Sequence, residues 1–275
     1  MEQQYIDLVK KILEEGELRD ARNGRVYSVF GGQHTFDLRE GFPLLTTKKI
    51  FYRGVIEELL FFIRGSTQTK ELEARGVNIW RENTSREFLN SRGLFDYAEG
   101  EMGPMYGFNW RFFGGKYPTG EGGYDQFEEL VRGLRSDPHS RRHLLTTYDP
   151  TRLSESVLPP CHGLITQFYV SSGVLHCHTY QRSVDVGLGY PFNIASYGFL
   201  LTLVGFMTDL TPGKLTISFG DAHIYAEHVN GLREQILREI RPPPRVRVEQ
   251  KKEGVFRIVI SGYAPHPTIK LPFIV

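Results

Sequence analysis

The stretch "YQRSVDVGLGYPFNIASYGFLLTLVGFMTDL", residues 180–210, changes its period midway. On a strand, Gln181, Ser183 and Asp185 share one face, and Tyr180 and Arg182 share the other. Glycines and Pro191 then break the strand. "IASYGFLLTLVGFMTDL" follows as a long apolar helix closed by "TPGK". Just upstream, "LITQFYV" and "VLHCHTYQRSVDV" read as two strands joined by the turn "SSG". Just downstream, "LTISFGDAHIY" is a strand running into a loop. Strands on either side of a buried helix predict a mixed α and β fold.

The remaining segments agree. Tyr5, Leu8, Val9 and Ile12 recur at helical spacing, with Gly16 as a C-terminal cap. "RVYSVFGGQHTFDL" alternates like a half-buried strand, with a bulge or bend at Gly31 and Gly32. "FYRGVIEELLFFIRG" (51–65) predicts a mostly buried helix, and its period leaves at least one of Glu57 and Glu58 on the wet side. "RFFGGKYPTGEGGYD" (111–125) is the candidate mobile surface loop. "YDQFEELVRGLRSDPHSRRH" is a helix stopped at Asp137-Pro138, and "AEHVNGLREQILREI" an amphipathic helix cut off by "RPPPR". No repeat, linker or low-complexity boundary divides the chain, so residues 1–275 are expected to form a single α+β domain.

A chain of 275 residues that is 40% hydrophobic and 24% charged has ample material for a core. A formal net charge of +1 argues against whole-surface affinity for nucleic acid or an anionic membrane. Two cysteines make no disulfide framework, which points to a reducing compartment. The N-terminus is interrupted by charges and reads as a helix, not a signal peptide. No stretch is expected to approach membrane-spanning length, and the expected location is cytoplasmic.

In "VLPPCHGL" (157–164), two prolines precede Cys161, fix φ and remove two donors, which predicts a stiff loop. Such a loop suits a reactive thiol, but a free cysteine also serves as a small buried hydrophobe, and the stretch alone leaves both readings open. The polar run 180–197 resembles the wall of a polar pocket, although Asn193 alone is explained equally well as an N-cap. "GDAHIYAEH" (220–228) and "HCH" (176–178) invite a metal, but there is no HExxH and no paired CxxC, so none is expected. Arg22, Arg141, Arg142 and Arg182 flank these segments, and converging guanidinium forks suit a dianion. No phosphate-binding P-loop or G-x-G-x-x-G turn is present, which lowers the odds of an NTPase or an NAD enzyme.

"FPLLTTKK", "EELLFFIRGST", "GVNIW", "GPMYGFNWR", "SRR", "LPPCH", "YQRSVDVGLGYPFNIASY", "GDAHIY" and "HPTIK" occur in this order. Together they resemble the thymidylate synthases over nearly the whole chain. The resemblance implies a three-layer α/β domain whose large twisted sheets pack back to back in a homodimer. It implies conversion of dUMP to dTMP, with 5,10-methylenetetrahydrofolate as one-carbon donor and reductant, and neither metal nor NAD. Cys161 then matches the nucleophile that adds to uracil C6, and Arg182 the arginine touching thiolate and phosphate. Asn193 matches the amide that reads uracil, which fits O4 and N3–H and not cytosine. Gln181, Ser183, His223 and Tyr225 match nucleotide ligands. So do Arg22 and, reaching in from the partner subunit, Arg141 and Arg142. Glu58, Tyr106 and His162 match the proton network. Asp185 matches the pterin-binding acid. Lys48, Trp80, Asn83, Gly189 and Val275 match the folate side.

Departures from the family pattern cluster around the folate. Arg81 stands where an Asp is usual, and Tyr148-Asp149-Pro150 replaces Trp-Asn-Pro. "ARNGRVYS" is one residue short, which makes Arg25 a fallback for Arg22. "CHGLITQFYV" carries one extra residue, which predicts a β-bulge at Leu164–Thr166. These changes keep a related pyrimidine hydroxymethylase as the alternative, and a weak secondary binding of RNA as a lesser one.

Overall fold

The computed structural model describes residues 1–252 and 255–274. Helix α1 (Gln3–Glu15) buries Tyr5, Leu8, Val9 and Ile12, and Gly16 N–H closes it on Ile12 O at 2.9 Å. Strands β1 (Glu17–Ala21) and β2 (Gly24–Asp37) form a hairpin through the two-residue turn Arg22–Asn23. Gly31 takes φ +81° while the register stays constant from Phe30↔Asp221 to Gly32↔Phe219, so the double glycine is a bend and not a bulge. Then come α2 (Tyr52–Ile63), α3 (Lys70–Glu73), α4 (Arg86–Ser91), α5 (Gly107–Phe112) and α6 (Gln126–Ser136). Asp125 caps α6 by accepting Glu128 N–H at 3.0 Å. The second half supplies β3 (Leu144–Thr146), β4 (Ile165–Ser171), β5 (Val174–Asp185), α7 (Gly189–Thr208), β6 (Thr211–Tyr225) and α8 (Val229–Gln235). A separate two-stranded sheet, β7 (Arg245–Lys252) with β8 (Val255–Ser261), follows.

The main sheet has the order β1-β2-β6-β5-β4-β3. Its pairs are antiparallel except β5 with β6, which are parallel and joined by α7. Helix α7 lies on β5 and β6, α1 lies on β2 and β6, and α2 packs onto α7. The mixed α/β expectation therefore holds as one sheet covered on one face by helices. The other face is open in the single chain. Ile165, Tyr169 and Tyr180 are exposed there, and Phe30 is 83% exposed.

Several local expectations are corrected. Helix α7 runs 20 residues, long enough to reach spanning length, but it is a buried core helix. It ends at Thr208 on Asp209 in the left-handed region, so "TPGK" already belongs to β6. Helix α8 stops at Gln235, whose buried amide donates to Thr47 Oγ1. The chain beyond it turns so that Arg238 reaches the carbonyls of Thr47 and Pro267. The glycine-rich run 111–125 is tied by paired hydrogen bonds between Phe113 and Tyr124 and by Arg152 Nη1 on Gly115 O.

The expected bulge falls at the entry of β4, whose residues alternate regularly from Ile165 onward. The register extended from Thr166↔Thr179 sets Ile165 opposite Tyr180, yet Leu164 N–H also bonds Tyr180 O at 3.0 Å. Two residues thus face one, at the near edge of the expected Leu164–Thr166, and the surplus residue is absorbed there. Gly163, just before Leu164, takes φ +62°.

Phe199 on α7 is fully buried and stacks on Phe42 at 4.4 Å between ring centroids. Phe199→Ala should cost about 3–5 kcal/mol, read as a fall in the urea midpoint at fixed protein concentration.

Candidate active site

The Cys161 loop hangs on one side chain of β5. Arg182 bonds the carbonyls of three successive residues: Nη2 to Pro159 O at 2.9 Å, Nε to Pro160 O at 2.9 Å, and its backbone N–H to Cys161 O at 3.0 Å. Cys161 N–H in turn donates to Tyr106 Oη at 3.3 Å, and the same oxygen lies 3.8 Å from Sγ. Since that oxygen accepts from the amide, its own hydrogen is free for the sulfur. Burial pushes the thiol pKa up, while the Tyr106 hydrogen bond and the Arg182 charge pull it down. The arginine acts in the expected direction, but burial outweighs it.

Tyr106 sits at φ 41°, ψ −104°, before the first residue of α5. Among the described residues the other non-glycine positive-φ positions, Ser172 and Asp209, serve a hairpin turn and a helix cap. Tyr106 stands at the N-cap of α5 without a side-chain cap bond, a position that needs no positive φ, and strain of this kind gathers at functional sites. Its ring stacks on His162 at 4.6 Å and on Phe62 at 5.0 Å. His162 Nδ1 pairs with Tyr197 Oη at 2.9 Å, and burial lowers the imidazole to about 4, so it is neutral at pH 7. A Cβ at Gly163 would stand 1.8 Å from that same Tyr197 oxygen, so the residue after His162 has no room for a side chain.

The two carboxylates of α2 divide as their spacing allows. Glu57 pairs with Arg75 at 2.8 Å on the surface. Glu58 turns inward and accepts Trp80 Nε1–H at 2.6 Å. Burial raises its pKa to about 7 against the pull of that hydrogen bond. A carboxyl poised near neutrality suits proton transfer.

Among the residues expected to bind the nucleotide, Gln181 is fully buried and its Oε1 accepts Asn193 Nδ2–H at 3.0 Å. That leaves Gln181 Nε2 a buried donor without a partner among the described residues. Asn193 keeps a second N–H and a carbonyl oxygen, a donor beside an acceptor. His223 Nδ1 bonds Asp221 Oδ1 at 2.9 Å, which turns Nε2 outward as the free nitrogen. Asp221 also accepts Ser28 Oγ at 3.2 Å and lies in register with Ser183. Tyr225 stands edge-on to His223 at 5.3 Å; burial raises its hydroxyl pKa, and the Arg22 charge opposes the rise. Arg22 sits in the turn between β1 and β2, close enough for its charge to act on Tyr225, whereas Arg25 lies near Asp20 at 3.9 Å. Arg141 and Arg142 are exposed in the turn between α6 and β3, and neither bonds the Cys161 cluster of its own chain among the described residues.

Among the residues expected to face the folate, Asp185 Oδ1 accepts Gly187 N–H at 2.9 Å and Leu188 N–H at 3.3 Å, and Gly189 opens α7 beside it. Asn83 is buried in the turn after Trp80. Lys48 is also buried, with its ammonium on Gly187 O; burial lowers its pKa to about 8. It braces the Asp185 turn from inside. Arg81 pairs with Glu73 at 3.1 Å, which offsets its reversed charge. Val275 lies outside the described residues. His176 and His178 have ordinary sheet partners in Lys214 N–H and Ser218 Oγ. The partners that orient these groups, Asp221 and Tyr197, stood inside the runs 220–228 and 180–197, but the sequence assigned neither a role. Asp221 stood two residues before His223 on the same strand face, the one signal available.

The family profile described as thymidylate synthase matches residues 3–275. A thymidylate synthase of Herpesvirus ateles is 46% identical, covering 100% of this chain and 98% of that protein. The thymidylate synthase of Homo sapiens is 46% identical over 98% of this chain and 90% of its own length. A bifunctional dihydrofolate reductase-thymidylate synthase of Zea mays is 45% identical over 98% of this chain and 54% of its own length.

Glu58 yields a stability test. Its carboxyl ionises near 4.5 when unfolded and near 7 in the fold, so stability falls as pH rises through that window and stays lost above it. Glu58→Gln should melt higher than wild type at pH 8, with the gap closing below pH ~4.5, while turnover collapses. An unchanged difference across pH would remove the assignment of a raised Glu58.

Proposed function

The chain belongs to the thymidylate synthase family and methylates dUMP to dTMP, and from that premise we propose roles for its residues. The hydroxymethylase alternative is not favoured by these relatives. The family draws its one-carbon unit from methylenetetrahydrofolate, which supplies both carbon and hydride when bound.

Cys161 is the nucleophile, and the observation that carries this is its double hold by Arg182 and Tyr106. Sγ bonds to C6 of uracil, the C5=C6 electron pair moves toward O4, and C5 becomes nucleophilic. Tyr106 O–H is positioned to donate to the sulfur, and the Arg182 charge favours the thiolate as its proton leaves. Glu58, half protonated near neutrality, exchanges protons at the O4 side. Asn193 accepts from N3–H and donates to O4, held in that sense by Gln181. Cytosine would leave both groups mismatched. His223, oriented by Asp221, meets the sugar hydroxyl with Nε2, and Tyr225 joins it. Arg22 and Arg182 receive the phosphate dianion with Ser183. Asp185 and Trp80 face the pterin, with Asn83 and Gly189 framing the same end. Lys48 supports the Asp185 turn from beneath.

The remaining phosphate ligands, Arg141 and Arg142, come from the partner of a homodimer formed through the open sheet face. Support lies in the exposed Phe30, Ile165, Tyr169 and Tyr180 on that face. Family members are generally dimeric.

Cys161→Ala should cut turnover by about 10⁴-fold or more while dUMP binding changes only a few-fold. Substantial residual turnover removes the nucleophile assignment. For the shared site, inactive Cys161→Ala and inactive Arg141→Ala proteins are mixed after reversible dissociation. Each heterodimer holds one intact site, so about a quarter of wild-type activity should return. No recovery in demonstrated heterodimers would place Arg141 in its own subunit's site.

A further inference from the structure

His228, at the start of α8, is fully buried, and the site described above does not use it. It touches two segments far apart in sequence. Nε2 lies 2.8 Å from Pro272 O in the C-terminal segment, and since a carbonyl only accepts, Nε2 carries the hydrogen. Nδ1 is buried with no hydrogen-bond partner among the described residues and points at Asp185 Oδ1 from 3.7 Å. In a neutral ring that Nδ1 is a lone pair facing a carboxylate, a repulsive arrangement. In an imidazolium both nitrogens donate, and the same geometry becomes attractive on both sides.

The surroundings hold the ring in place. A Cβ on Gly187 would stand 2.4 Å from Nδ1, so the Asp185 turn can lie against the imidazole only because that residue has no side chain. Tyr225 packs edge-on at 5.4 Å. The C-terminal segment is also seated by Ile269 and Leu271, which press on Gly231 of α8.

We propose that His228 is a positioning residue that latches the C-terminal segment, at Pro272, to the turn carrying Asp185, and that the latch is tight when the ring is an imidazolium. The charged and titratable groups around it are Asp185 from β5, Lys48 on Gly187 O, Tyr225 at the end of β6, and Tyr5 and His223 through their fields on Asp185. Burial and Lys48 oppose the charge on His228, while Asp185 and the Pro272 carbonyl favour it, and the balance is upward. The sign follows: the latch is fully formed below the ordinary histidine pKa and loosens as pH rises through the raised one. The consequence for folate rests on reading Asp185 as the pterin-facing acid, whereas the latch itself does not.

Hydrogen exchange of the segment 266–274 in the intact protein, corrected for intrinsic rates, tests the latch between pH 5.5 and 8.5. Protection should fall about tenfold across that range in wild type. His228→Gln keeps a donor for Pro272 O but cannot ionise, and it should show intermediate, pH-independent protection. Asp185→Asn should likewise flatten the profile. A flat wild-type profile overturns the proposal even where neither variant folds. A slope that persists in His228→Gln overturns it by assigning the effect to another group. Separately, His228→Gln should raise KM for methylenetetrahydrofolate several-fold at pH 6 with the dUMP dissociation constant unchanged. If the exchange result holds and KM does not move, the latch stands and the folate reading of Asp185 fails.

Discussion

The three carbonyls of Pro159, Pro160 and Cys161 converge on Arg182, and the site depends on that convergence. A proline pair has carbonyls but no amide hydrogens, so it cannot join a ladder and must find donors for its oxygens elsewhere. A guanidinium fork supplies them from a neighbouring strand. One residue thereby fixes the loop, sets the thiol above β5, and keeps a cation beside it. Replacing the prolines would free the loop, and replacing the arginine would leave both carbonyls without donors.

From that anchor the sheet distributes the chemistry. Strand β5 carries Gln181, Arg182, Ser183 and Asp185 in succession, and the parallel neighbour β6 brings Asp221, His223 and Tyr225 alongside. Helix α7, entering directly after Asp185, places Asn193 against Gln181. Helix α2 on the far side of α7 contributes Glu58. Because β5 and β6 run parallel and are spanned by α7, the groups proposed to bind the nucleotide emerge at the same ends of both strands.

Burial does the electrostatic tuning. It lifts Glu58 to about 7 against the Trp80 hydrogen bond, raises the Cys161 thiol against Tyr106 and Arg182, and by itself holds His162 neutral. The protonation of these three groups is thus set first by desolvation, with Trp80, Tyr106 and Arg182 as the opposing contacts. His228 extends the same logic to the far end of the chain, where a buried ring joins the C-terminal segment to the Asp185 turn.

Period and composition determined which segments are helix and strand, because burial on one face imposes 3.6 or 2 on the apolar residues. The motifs also determined the family and marked Cys161, Arg182 and Asn193 as candidate site residues. Three things were decided only by tertiary structure. The extra residue near Cys161 is absorbed at the entry of β4, where Leu164 and Ile165 both face Tyr180 and Gly163 takes a left-handed φ against Tyr197. Lys48 points inward because the Asp185 turn offers it the Gly187 carbonyl. Glu58 and Glu57 part company because one meets an indole N–H in the interior and the other an arginine in water. Local sequence specifies conformation one segment at a time, whereas the partner of a buried polar group comes from whichever distant segment the packing brings within 3 Å.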